Sequence, residues 1–123
     1  RTGRKPFHWE YLDDTARQYL TEVYKKFINL RTTVPQLFDV KSTFSWEVTL
    51  SHWEGCRNLY LESIDGKKLF IVGNFTTERQ TSSVTIPTGW NKYYNLIEEK
   101  ESVFKPGNPI ILAPHSFIAI SNF

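Results

Sequence analysis

The chain has 123 residues, enough for one domain with a real hydrophobic core, and its 15 basic and 13 acidic side chains leave a formal charge of +2. Hydrophobic residues make up 40% of it, with nine Phe, six Tyr and four Trp, which excludes a disordered composition. No apolar run approaches the roughly 20 residues of a membrane helix, and beyond Arg1, Arg4 and Lys5 the cations are dispersed, so neither a membrane nor a nucleic acid is expected as a partner.

Residues 1–12 combine Gly3 and Pro6 with the aromatic cluster Phe7, His8, Trp9 and Tyr11 and show no period, which predicts a loop whose aromatics pack on a neighbour. From Asp13 to Pro35 runs the one long helical pattern. At 100° per residue, Ala16, Tyr19, Leu20, Val23, Tyr24, Phe27, Ile28 and Leu30 fill about half of the circumference, more than a single contact surface covers. Asp13 and Asp14 supply the N-cap, Glu22 and Lys26 form an i,i+4 pair, and Pro35 ends the helix near Arg31 to Thr33. Arg31 projects into the apolar face, so it either snorkels off the last turn or is held by an acceptor, with Asp39 the nearest carboxylate in sequence and the carbonyls of the helix end the alternative.

The remainder reads as strands. Phe44, Trp46, Val48 and Leu50 alternate with polar residues, which predicts a half-buried strand with Trp46 on its core side. Asn58 to Ile64 and Lys68 to Phe75 flank Asp65-Gly66 and predict a hairpin with a type I′ turn, its second arm central because Leu69 and Ile71 face one side and Phe70 and Val72 the other. Ser82 to Ile86 and Tyr93 to Ile97 follow, then a charged turn at Glu98 to Glu101, and finally Ile110 to Ala113 and Phe117 to Ser121 as a closing pair about Pro114-His115. The fold class is therefore mainly β: an antiparallel Greek-key sandwich of about seven strands preceded by one amphipathic helix.

Chemistry-bearing motifs are sparse. Cys56 is the only cysteine, so no internal disulfide forms, and His52 with Cys56 in HWEGC would be half a metal site with no second ligand pair, so no metal is expected. Neither a nucleophile elbow nor a phosphate-binding glycine loop is present, and no cofactor is implied. Asn74-Phe75-Thr76 fits the N-glycosylation pattern, a match that arises often by chance. Trp53 and Trp90, beside Gly55 and Gly89 in predicted loops, are the candidate carbohydrate platforms. Methionine is absent and the chain opens on RTGRKPFHWE, which leads us to expect a piece or a processed form of a longer protein and leaves its location unread.

The order of a helix, then KKFINLRTTVPQLF, then a β domain ending in LAPHSFIAI resembles the C-terminal end of the family 13 glycoside hydrolases, the α-amylase family. Leu30, Arg31, Pro35 and Leu37 match the leucine-arginine pair, proline and leucine at the end of that family's last barrel helix. Arg4, Pro6 and Trp9 look like the loop after its eighth barrel strand, although Phe7 and His8 depart from the usual wording. The resemblance implies that residues 1–38 are the end of a catalytic (β/α)8 barrel and 39–123 a C-terminal β-sandwich, in a protein acting on α-glucan such as starch or maltooligosaccharide. It also implies that the aspartate nucleophile, glutamate acid/base and further aspartate lie upstream, so this segment carries no catalytic residue. Glu10, Asp13 and Asp14 are read as loop and cap residues, not as the close carboxylate pair of a retaining glycosidase. The alternatives are an independent carbohydrate-binding sandwich, which accounts for the loop tryptophans but not for the helix, and a plain interaction sandwich that binds no sugar.

Overall fold

The computed structural model describes residues 14–48 and 56–123. Over these the protein is mainly β with one N-terminal helix: α1 (Thr15–Thr33), a 3₁₀ turn (Pro35–Phe38), and strands β1 (Thr43–Val48), β2 (Cys56–Glu62), β3 (Lys68–Asn74), β4 (Gln80–Thr85), β5 (Tyr94–Asn95), β6 (Lys100–Glu101), β7 (Pro109–Leu112) and β8 (Phe117–Ser121). Six strands form an antiparallel sheet in the order β1-β2-β3-β8-β5-β6, and β4 pairs with β7 in a second, smaller sheet.

The helix begins and ends where its side chains dictate. The extended Asp14 accepts from the Arg17 N–H (3.1 Å), and at the other end the Val34 N–H still reaches the Leu30 carbonyl before Pro35 stops the ladder. The expected Glu22–Lys26 pair is replaced: Glu22 meets Lys25 (3.2 Å), while Lys26 leaves the helix to bond the Ile97 carbonyl and Glu99 (2.9 Å). The reason is position, since Lys26 lies on the flank of α1 that faces the turn between β5 and β6 and finds there a carbonyl that no helix neighbour offers.

Strand β3 is central and covered on both faces, as its uninterrupted apolar run requires. Phe70 and Val72, with Ile118 and Ile120 of β8, pack against Ile86, Ile110 and Leu112 from the β4–β7 side. Leu69, with Leu61 of β2, packs on the opposite face against Leu30, Val34 and Leu37 of α1 and the 3₁₀ turn. The large sheet thus has the small sheet on one side and the helix on the other.

Two local expectations are corrected. The β2–β3 hairpin exists in the register Glu62↔Lys68, but its turn is not type I′: Gly66 takes φ of +88° and Asp65 does not share the positive φ that such a turn needs at both central positions. The Gly66 N–H donates to the Ser63 carbonyl and the Ser63 N–H to the Lys67 carbonyl, a longer turn in which the Asp65 carboxylate is fixed by the Ser63 hydroxyl and the Gln36 amide. Those two donors, the hydroxyl foremost, hold the Asp65 pKa below its usual range. The last two strands, expected to pair with each other, lie in different sheets: β7 pairs with β4, whereas β8 inserts between β3 and β5. The link from 113 to 116 makes the crossing, with His115 at φ of +54°.

Tyr60 of β2 packs against the inter-sheet cluster and donates its hydroxyl to Glu62 (2.9 Å). Burial first, then that hydrogen bond and the carboxylate charge, push its pKa up to about 12 from 10.0. Because the folded state holds the proton more tightly, the contribution of Tyr60 is complete below pH 10 and is lost as pH rises through about 12. Ultraviolet titration of the native protein should show a phenol ionising at about pH 12, and Tyr60→Phe should remove that step; an unchanged step would assign it to another tyrosine.

Candidate interaction face

The most distinctive surface of the protein is the part of α1 that nothing in the described structure covers. Of the whole helix only Leu30 is buried, with Phe27 partly packed beside it. Leu20, Tyr24 and Ile28, spaced four apart and therefore aligned along one ridge, are 51%, 61% and 62% exposed. A solvent-facing helix normally places polar residues there, and burying the exposed part of these three side chains is worth roughly 3–5 kcal/mol before the costs of association.

The apolar surface continues from the helix onto the sheet. Phe27 meets Phe117 of β8 at 6.4 Å between ring centres, tilted by 35°. Phe117 borders two open grooves: one of about 290 Å³ with Leu59, Ile71 and Phe75, and one of about 340 Å³ with Tyr19, Val103 and Ile111. Arg57 lies over the Phe75 ring at 5.4 Å, so the rim of the first groove is cationic and aromatic together. The ridge and the first groove are mainly apolar, an arrangement suited to a protein surface, while the second groove also has Asn95, Glu98 and Ser116 in its lining.

The residues singled out from sequence fall elsewhere. Arg31 is exposed and stacks over the Phe38 ring at 5.3 Å; the Asp39 carboxylate accepts from the Lys41 N–H (2.9 Å) instead, so the two side chains have different partners. The signal for this was Phe38 itself, one residue before the acid that attracted attention. Arg31→Ala should therefore cost under about 1 kcal/mol in a denaturant titration, the range of an exposed cation–π contact; a loss of several kcal/mol would demand a buried acceptor.

Trp90 is half-buried, stacked on Tyr93 (5.2 Å, 13°) and packed on the inter-sheet core, and its backbone N–H donates to the Tyr93 hydroxyl (3.2 Å). That hydroxyl donates in turn to the Pro87 carbonyl (2.7 Å), so both rings are committed to the turn that follows β4. Trp53, Glu10, Asp13 and His52 lie outside the described residues. Among the described residues, no group of three His, Cys, Asp or Glu side chains is placed to hold a metal ion. The carboxylates of the β5–β6 turn have local cationic or amide partners: Glu99 meets Lys26, and Glu98 meets Lys100 (3.6 Å) and the Asn95 amide (3.4 Å).

No known protein family matches the chain, and neither does any curated protein.

Proposed function

We propose that this chain is the last barrel helix and C-terminal β-sandwich of an α-amylase-type glycoside hydrolase, a protein that as a whole hydrolyses α-glucan such as starch or maltooligosaccharide. The segment performs no chemistry. It closes and stabilises the (β/α)8 barrel that precedes it, and α1 belongs to both bodies: one flank seats on the sandwich through Phe27 and Leu30, and the ridge of Leu20, Tyr24 and Ile28 seats on the barrel.

The observation that carries this proposal is that uncovered ridge. An independent sandwich gains nothing from a helix that buries one side chain of its own and exposes four large apolar ones, Tyr19 besides the three of the ridge, whereas the final helix of a larger layered fold needs apolar residues on two sides. The spacing of Leu30, Arg31, Pro35 and Leu37 adds the sequence resemblance, and the structure gives each a place in the helix end: Leu30 and Leu37 buried, Pro35 opening the 3₁₀ turn, Arg31 over Phe38. Trp90, held in its stack with Tyr93, gives no support to the rival carbohydrate-binding module.

The coding sequence upstream of Arg1 tests the proposal. Alternating strands and helices that carry an aspartate, a glutamate and a second aspartate at strand ends are expected there. An upstream region without a barrel pattern would remove the proposal.

A further inference from the structure

The Asn74-Phe75-Thr76 motif has a use in this fold that is independent of the function proposed above. Asn74 ends β3 in the large sheet and is 2% exposed. Its Nδ2 lies 2.8 Å from the Glu78 carbonyl, 3.2 Å from that of Leu112 and 3.1 Å from that of Ala113. Leu112 closes β7 in the small sheet, and Glu78 stands just before β4 in the same sheet, so one amide ties both small strands to the end of the large sheet. On the other side Oδ1 accepts from the Thr76 N–H (2.9 Å), and the Thr76 hydroxyl lies 2.7 Å from it.

We propose that this motif is the clasp that closes the sandwich, and that folding and N-glycosylation at Asn74 exclude one another. Glycan transfer would form a bond from Nδ2 to the anomeric carbon of a sugar, expel the lipid pyrophosphate that carried the sugar and release one Nδ2 proton. The nitrogen has two hydrogens and both are directed at backbone carbonyls, that of Leu112 buried and those of Glu78 and Ala113 partly so, and the modified amide could not keep its three acceptors. A sugar has no room at a side chain with 2% exposure without parting β4 and β7 from β3. The Thr76 hydroxyl, which defines the acceptor motif, is engaged as well, at 2.9 Å from the Glu78 carbonyl. In the folded protein both recognition groups are consumed; in the unfolded chain both are free.

The experiment offers the full chain, native and heat-unfolded, to a purified oligosaccharyltransferase with a lipid-linked oligosaccharide donor. The unfolded chain should be modified and the native protein at least about 100-fold more slowly, because modification must wait for the rare opened state. The modified product, returned to native conditions, should stay protease-sensitive and regain no near-ultraviolet circular dichroism. Phe75→Pro, which abolishes the acceptor motif while leaving Asn74 and Thr76 in place, should accept nothing even when unfolded. Equal rates on native and unfolded protein, refolding of the modified chain to wild-type protease resistance, or no transfer to the unfolded chain would each overturn the inference.

Discussion

Asn74→Ala should be among the most damaging single substitutions in this protein, lowering stability by about 3 kcal/mol or more in urea. The substitution removes the Asn74 amide from the Leu112 carbonyl and the Thr76 N–H, and also from the Glu78 and Ala113 carbonyls, which keep the Thr76 hydroxyl and Ser116 as their other donors. A buried polar group left unsatisfied costs about 1–3 kcal/mol, and water entering the opened site offsets part of the sum. Against a total stability on the order of 5–15 kcal/mol this is a large fraction. Asn74→Asp separates donation from shape: it keeps an acceptor for Thr76 but sets a carboxylate against three carbonyl oxygens. It should destabilise at neutral pH at least as much as alanine and recover partly in acid, where the protonated carboxyl can donate again. A loss under 1 kcal/mol for Asn74→Ala would show that the two sheets hold together without the clasp.

Leu37→Ala should cost about 3 kcal/mol, within the range found when a fully buried leucine is truncated. Leu37 has no exposed surface and sits where α1, the 3₁₀ turn and the large sheet converge, among Leu30, Val34, Leu61 and Leu69. Neighbours fixed by three different elements cannot collapse easily into the space left behind, which places the loss at the transfer term plus a substantial cavity term. Substitutions on the exposed ridge provide the contrast. Leu20→Ala or Ile28→Ala should change the stability of the chain by under about 0.5 kcal/mol, since little burial is lost. A large effect on the ridge with a small one at Leu37 would mean that the helix packs in another way in solution.

The parts of this fold that were legible in sequence are those set by local pattern. The N-cap at Asp14, the stop before Pro35 and the two-faced burial of β3 all follow from residues that are neighbours along the chain. The half-circumference apolar stripe of α1 likewise announced more surface than the sandwich covers. What was not legible depended on distant partners. Ile110 and Phe117 open the same kind of apolar run, and nothing within either says that one joins β4 and the other joins β3. Asn74 read as a chance modification motif because the carbonyls it bonds at 112 and 113 are nearly forty residues away. Arg31 drew attention to a carboxylate, although an aromatic ring one residue nearer satisfied it. The Asp65-Gly66 turn was placed correctly and typed wrongly, since the Ser63 hydroxyl and the Gln36 amide fix the aspartate from outside the dipeptide.

Reducing-sugar release from starch and maltooligosaccharides, compared between this chain and the same chain extended by the residues encoded upstream of Arg1, tests the proposed division of labour most directly. The account predicts no release by the 123-residue chain even at high protein concentration, and release by the extended protein that disappears when the upstream barrel carboxylates are replaced. Hydrolysis by the chain alone that vanished in the Glu98→Gln, Glu101→Gln double variant would contradict it, because it would make an acid/base pair of Glu98, which meets Lys100, and the exposed Glu101 of β6.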